Sequence, residues 1–315
     1  MPFSPEQTRL LYKIARDYYE ADYTQDQIAG KFGLSRIKVS RLLKQARKQN
    51  IVRITLHPPV DLQVDLEHHI ETAYGLEEVK IVECDNYRDQ TAVANALAPA
   101  GAECLVRRLA GDEIVGVTWG KTVKAVISSL PPLNLRKAKI VQMTGGLGSI
   151  VTLDHATELA RQMAGKLSAE LHLLPAPGIA KDAESAGVFK KDNMISNVLR
   201  LAATAKIALV GIGILSNDTF LLQDSALLSE NDQNEIERAG AVGDVALRYM
   251  TGEGNPCNLS INNRIVGLSF EELLEIPHVI AVAGGVQKIS AIRAALLSGI
   301  INILVTDKNT AKALL

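Results

Sequence analysis

Between Thr24 and Asn50 the apolar positions recur at helical spacing in two short runs separated by a glycine. In the second run Val39, Leu42, Leu43 and Ala46 follow i, i+3, i+4, i+7. One face therefore turns to a core, while Arg36, Lys38, Ser40, Arg41, Lys44, Arg47 and Lys48 turn outward. Counted from Gln25, Ala29, Gly33 and Val39 stand at the fifth, ninth and fifteenth places. A small residue there lets two helices cross, a glycine supplies the left-handed turn, and a branched apolar residue packs the second helix on the first. Thr24 with Gln27 forms a capping box, and Ser35 is placed to cap the second helix. The pattern predicts a helix-turn-helix, preceded by a buttressing helix over Pro5 to Glu20 with Leu10, Leu11, Ile14 and Tyr18 inward. Tyr18, Tyr19 and Tyr23 suit core packing, with stacking on a DNA backbone as the rarer alternative.

After Asn50 the period changes. Ile51 to His57 alternates apolar and polar residues and predicts a half-buried strand like that of a winged helix, ended by Pro58 and Pro59. Asp61 to Gly75 returns to helical spacing with Leu62, Leu66, Ile70 and Ala73 in register. Its adjacent His68 and His69 diverge around the helix and suit solvent rather than a metal. From Glu78 onward, seven near-continuous apolar runs alternate with helical stretches: EVKIVE, EIVGVTWGKT, KIVQMTGG, ELHLLPAPG, KIALVGIG, HVIAVAGG and NILVTD. Such runs predict a C-terminal α/β domain with a mainly parallel sheet covered on both faces. Pro175 to Val188 is long, polar and irregular, which suggests a lid loop, with simple disorder as the alternative.

Charge separates the two parts. The 315 residues carry a net charge of -1, yet Met1 to Pro58 hold 11 Lys and Arg against 5 Asp and Glu, a balance of +6 that leaves -7 for the rest. A small basic module joined to a bulky acidic one suits nucleic-acid binding at one end and another task at the other. The expected organisation is a DNA-binding domain at 1–58, a linker or dimerisation helix at 59–77 and an effector-binding, oligomerising domain at 78–315. Three scattered cysteines, Cys84, Cys104 and Cys257, form no disulfide framework. Without a signal peptide or an apolar run long enough to span a membrane, the expectation is a cytoplasmic protein without membrane contact.

In the basic module, Ser35, Arg36, Lys38, Ser40 and Arg41 stand at the start of the second helix, the part that enters a major groove. Lys44, Arg47 and Lys48 are placed for phosphates, as is Arg53 beyond the helix. In the acidic part, glycines concentrate after apolar runs, where open α/β sheets bind ligands. Gly120, Lys121 and Thr122 open a helix after Trp119, Gly145 and Gly146 follow a second run, and Gly284 and Gly285 precede Lys288. These backbones and the two lysines form a candidate cradle for an anion, and Asp244 in GAVGD is a candidate acceptor for sugar hydroxyls. No GxxxxGK[ST] or GxGxxG pattern points to a nucleotide, and no spacing points to a metal or other cofactor. An isomerase or deaminase with a DNA-binding appendage is the rival reading. It would need a base such as Asp244 or His155 with an orienting partner, and no sequence constellation supplies one.

The segments TQDQIAGKFGLSRIKVSRLL, VTWGKTV, MTGGLGS, LPAP, VGIG, GAVGD, AVAGG with Lys288, and ILVTD occur in the order found in the SorC family of bacterial sugar-responsive transcriptional regulators, which the chain resembles over nearly its whole length. The resemblance implies a C-terminal domain folded like sugar-phosphate isomerases and deaminases, a sugar or sugar-phosphate effector, and a tetramer built as a dimer of dimers. It also implies activation or repression of a sugar-utilisation operon, with sorbose or sorbitol as the expected sugar, and no catalytic residues. Carried over by motif, Gly120, Lys121 and Thr122 form the phosphate-binding turn. Lys288 and Asp244 face the ligand, and Trp119 lines the pocket.

Overall fold

The computed structural model describes residues 5–54, 63–146, 150–215 and 228–315, with the side chains of residues 150–156 outside the description. The chain divides into two compact units, Met1–Leu62 and Gln63–Leu315.

In the first unit, α1 (Pro5–Tyr19), α2 (Gln25–Phe32) and α3 (Arg36–Lys48) enclose a core of Ile14, Ile28, Ala29, Val39, Leu43 and Ala46. Thr24 and Gln27 form a reciprocal capping box, and Gly33 ends α2 in the left-handed region at φ 65°, with its N–H donating to the Ala29 carbonyl. The Ser35 hydroxyl accepts from Lys38 N–H at 3.2 Å. Asp17, a position the hydrophobic pattern leaves unassigned, is buried and accepts from Lys31 Nζ at 2.8 Å, which ties α1 to α2.

The expected wing strand does not form over Ile51–Ile54. Ile51 N–H and Val52 N–H both turn back to the Ala46 carbonyl, at 3.0 and 3.3 Å, and the two side chains pack on the helical core. Closing the end of α3 prevails over the alternating pattern. Residues 55–57 of that expected strand lie outside the described residues, as do Asp61 and Leu62 of the next expected helix.

The second unit begins with α4 (Val64–Tyr74), whose stripe is Leu66, Ile70 and Tyr74; Ala73, expected inward, is exposed. Tyr74 takes the inward place at i+4 from Ile70, and its hydroxyl donates to the Leu314 carbonyl at 2.6 Å. Then follow β1 (Glu78–Val82), α5 (Gln90–Val106), β2 (Ile114–Val117), α6 (Lys121–Ser129), β3 (Lys139–Gln142), α7 (Ile150–Leu167) and β4 (Glu170–His172). The chain continues through α8 (Ala183–Lys191), α9 (Asn193–Ala203), β5 (Ile207–Val210), β6 (Gly213–Ile214), α10 (Glu230–Arg238), β7 (Ala241–Val245) and β8 (Arg248–Thr251). Last come α11 (Phe270–Leu274), β9 (His278–Val282), α12 (Ile289–Leu297), β10 (Ile303–Asp307) and α13 (Lys308–Leu314).

All seven expected apolar runs are strands of one parallel sheet. Its order is β1, β10, β9, β5, β2, β3, β4. Both faces are buried with a period of two: Ile207 and Leu209 belong to one core, Ala208 and Val210 to the other. β2 leads on to β3, while β5, paired beside it, leads on in the main sheet to β9 on its other side, so the connections diverge between β2 and β5. In open α/β sheets such a divergence is where a ligand crevice lies, beyond the carboxyl ends of the two strands. β1 lies at an edge, and the carboxylates of Glu71 and Glu67 on α4 accept from its Val79 and Ile81 N–H groups at 2.9 and 2.8 Å. These bonds satisfy edge donors that would otherwise invite another strand.

Two features depart from expectation. β6, β7 and β8 form a small antiparallel sheet, turned through Ala246 and Leu247 at φ 53° and 66° rather than through a glycine. The expected lid over Pro175 to Val188 is largely built in. Ala176, Ile179 and Ala180 are buried, and α8 starts at Ala183, capped by Asp182.

At the end of β10 the fully buried Asp307 carboxylate accepts from Gly285 N–H at 2.7 Å, Asn309 N–H at 3.0 Å, Thr310 N–H at 2.9 Å and the Thr310 hydroxyl at 2.5 Å. Asp307→Ala is expected to lower the stability of the larger unit by about 3 kcal/mol in urea denaturation, since it strips acceptors from buried donors and from the α13 cap. A loss below about 0.5 kcal/mol would contradict this role.

Candidate functional site

Each unit presents one candidate site. On α3 the side of the helix away from the core exposes Arg36, Lys38, Arg41 and Lys44, with Ser40 half-buried among them, and Arg53 is exposed beyond the helix. Arg36 lies 3.9 Å from Asp26 in an exposed pair that solvent screens, and so stays available. Ser35 is already engaged by its cap. Arg47, expected to meet phosphate, donates instead to the Tyr19 hydroxyl at 2.8 Å and stacks 5.6 Å over its ring. Tyr19 packs at right angles to Tyr18, with both rings against the core.

In the second unit the turn before α6 follows the carboxyl end of β2, which pairs with β5. Gly120 starts this helix at φ 130°, with no side chain capping it. The first N–H groups of α6 therefore face outward with their partial positive charge. Lys121 is exposed, Thr122 is half-buried, and Trp119 is wedged between the main sheet's core and the core under the small sheet.

Asp244 on β7 lies opposite Gly213 on β6, and only 7% of its surface is exposed. A side chain at Gly213 would collide with the Asp244 carboxylate, so a glycine is what allows the acid to sit there. Its Oδ2 accepts from Leu247 N–H at 2.9 Å. Burial raises the Asp244 pKa to about 6, against the pull of that N–H and of the Lys288 charge. Lys288 stands in the turn after β9 and donates from Nζ to the Ile212 carbonyl at 2.6 Å. Burial lowers its pKa, Asp244 opposes the shift, and Lys121 adds to it. Asp244, Lys288 and Lys121 thus come from three separate segments into one electrostatic neighbourhood around the β5–β6 turn.

The other expected glycines do a different job. Gly145 N–H donates to Val266 O at 2.9 Å and Gly146 N–H to Ala176 O at 3.0 Å. Gly285 N–H is held by Asp307 and by Thr310 Oγ1 at 2.8 Å. A side chain on Gly145 or Gly284 would meet backbone or Asp307. The engaged donors of Gly145, Gly146 and Gly285 cannot also cradle a phosphate, and Gly284 is held to a glycine by the nearby Asp307 carboxylate, whereas no side chain caps the start of α6. Conversely, Gly213 and the Ile212 carbonyl, which seat Asp244 and Lys288, carry no mark in the sequence beyond the run VGIG. Among the described residues, no group of three or more His, Cys, Asp and Glu is placed to hold a metal ion, and the His155 side chain lies outside the description.

Residues 59–315 match the family described as "Putative sugar-binding domain". Across 98% of its length the chain is 30% identical to the deoxyribonucleoside regulator of Bacillus subtilis, of which it covers 98%. The chain belongs to the SorC- and DeoR-type family of sugar-binding transcriptional regulators. It is also 31% identical to the transcriptional regulator LsrR of Escherichia coli K12, over 96% of this chain and 93% of that one. The full-length sorbitol operon regulator SorC from Klebsiella pneumoniae superposes with a TM-score of 0.74 at 26% identity, over 98% of this chain and 99% of that one. These relatives are named as transcriptional regulators, which favours regulation over the isomerase or deaminase reading. No helix among the described residues is long and apolar enough to cross a membrane.

The raised pKa of Asp244 fixes the sign of a pH effect. An acid whose folded pKa lies above its ordinary value costs stability when ionised, and that cost fades as pH falls through about 6 toward 4. Asp244→Asn is therefore expected to raise unfolding stability at pH 7 by about 2–3 kcal/mol and to leave it unchanged near pH 4. Equal stabilities of the two proteins at pH 7 would contradict the assignment.

Proposed function

We propose that this SorC- and DeoR-type regulator binds operator DNA through the α3 face and a sugar phosphate in the β2–β5 crevice. The observation that carries the reading is the convergence of Lys288 and Asp244 beside the uncapped start of α6, at the point where the sheet's connections diverge. The phosphate sits on the α6 N–H groups, with Lys121 and Lys288 supplying charge. Sugar hydroxyls donate to Asp244, and Trp119 forms one wall.

Arg36, Lys38, Ser40 and Arg41 contact base edges, while Lys44 and Arg53 contact phosphates. Residues 1–58 act as the DNA-binding domain, 59–77 as a linker and dimerisation helix, and 78–315 as the effector-binding and oligomerising domain, in a cytoplasmic tetramer made of two dimers. Paired α3 helices then require half-sites about one helical turn apart or a multiple of it.

Phosphates of sorbose or sorbitol are the first effector choice, on the likeness to the sorbitol operon regulator. A deoxyribose phosphate is the second, on the 30% identity to a regulator named for deoxyribonucleosides. The effector acts only through a difference in its affinity for two arrangements of the protein, so its coupling to DNA is reciprocal.

The test measures affinity for a duplex selected from a randomised pool, with and without each sugar phosphate. Lys288→Ala is expected to weaken the effector's influence at least tenfold while operator affinity without effector stays within about threefold, in keeping with one lost charge-assisted contact. Loss of both together would contradict the separation of the two sites, and no response of the unmodified protein to any sugar or phosphate would contradict the effector reading.

A further inference from the structure

Among the exposed large apolar side chains of the described residues, Ile37 is the most open to solvent, at 68%. It sits in the first turn of α3, two places after the cap Ser35 and between Arg36 and Lys38. At 3.6 residues per turn, Ile37 shares a face with Arg41, Lys44 and Lys48 and lies beside Ser40, away from the buried Val39, Leu43 and Ala46. A solvated basic face gains nothing from four apolar carbons at its leading end, and the core of this unit does not use them. The branched Cβ also restricts χ1, so the side chain presents a nearly fixed apolar knob.

The position is the one that faces base edges when a second helix enters a major groove. Ile37 offers no hydrogen bond and no charge, so neither phosphates nor the polar edges of guanine, adenine or cytosine reward it. The one apolar group displayed in that groove is the 5-methyl of thymine. We propose that Ile37 reads a thymine methyl in each half-site, setting specificity there while Arg36, Lys38 and Arg41 supply the polar contacts. This rests on the DNA-binding reading above and adds a base preference to it.

The test uses the full chain and a duplex selected from a randomised pool, in which each thymine is replaced singly by uracil, a change that removes only the methyl. At one thymine per half-site, uracil is expected to weaken binding of the unmodified protein about three- to fivefold, the size of one buried methyl contact. At that same position Ile37→Ala should bind the two duplexes equally, and Ile37→Val should keep most of the preference. The thermal midpoint of Ile37→Ala should stay close to that of the parent, since the side chain lies outside the buried core. Uracil costing nothing at every position, or costing Ile37→Ala as much as the parent, would overturn the proposal. Equal weakening on all duplexes with a change in oligomer mass would also overturn it, by placing Ile37 in a protein contact. Failure of the unmodified protein to select any duplex would refute the DNA-binding reading itself and the proposal with it.

Discussion

Parallel strands buried on both faces leave their ends for polar chemistry, and in this chain the carboxyl end between β2 and β5 is where that chemistry concentrates. The connections diverge there, and beside that point stand a glycine that opens a helix without a cap and a glycine that admits a buried acid. Asp244 could not keep its place if Gly213 carried a side chain. Lys288 reaches the same turn because Asp307 holds the Gly284–Gly285 backbone ahead of it. The site thus depends on close backbone approach more than on any one side chain.

The resulting electrostatics are unsettled in a useful way. Burial disfavours the charge on both Asp244 and Lys288, and each partly restores the other. A ligand bringing a phosphate and hydroxyls would offer the lysines and the carboxylate partners together. The same logic explains why the site suits a sensor. Asp244 and Lys288 are each held by a main-chain contact, and the second unit is anchored elsewhere by apolar packing and by the Glu67 and Glu71 bonds along the sheet edge.

Much of the fold was legible from periodicity. The seven apolar runs became seven parallel strands because burial on both faces demands continuous apolar character, which few other structures share. Ala29, Gly33 and Val39 marked the α2–α3 pair because only small, left-handed and branched residues fit those places. The wing strand failed because alternation cannot reveal that the Ala46 carbonyl attracts the following N–H groups. The small sheet was hidden because its turn uses Ala246 and Leu247 at positive φ, where glycine or asparagine is the usual signal. In the site, Trp119, Gly120, Lys121, Asp244 and Lys288 were readable as types and positions. A glycine's role was not: Gly120 leaves donors open, whereas Gly145, Gly146 and Gly285 have theirs engaged by partners distant in sequence. Arg47 shows the same limit, since only the fold reveals that Tyr19 claims it.

The central claim is that the β2–β5 crevice binds a sugar phosphate. Trp119 is the only tryptophan in the chain and packs where the main sheet meets the small one, so its fluorescence reports on that crevice directly. Titrating the protein with phosphates of sorbose, sorbitol and deoxyribose should give, for one of them, a saturable change that persists for hours. A signal that decays as the ligand is consumed, or no change with any sugar phosphate that alters DNA affinity, would contradict the account.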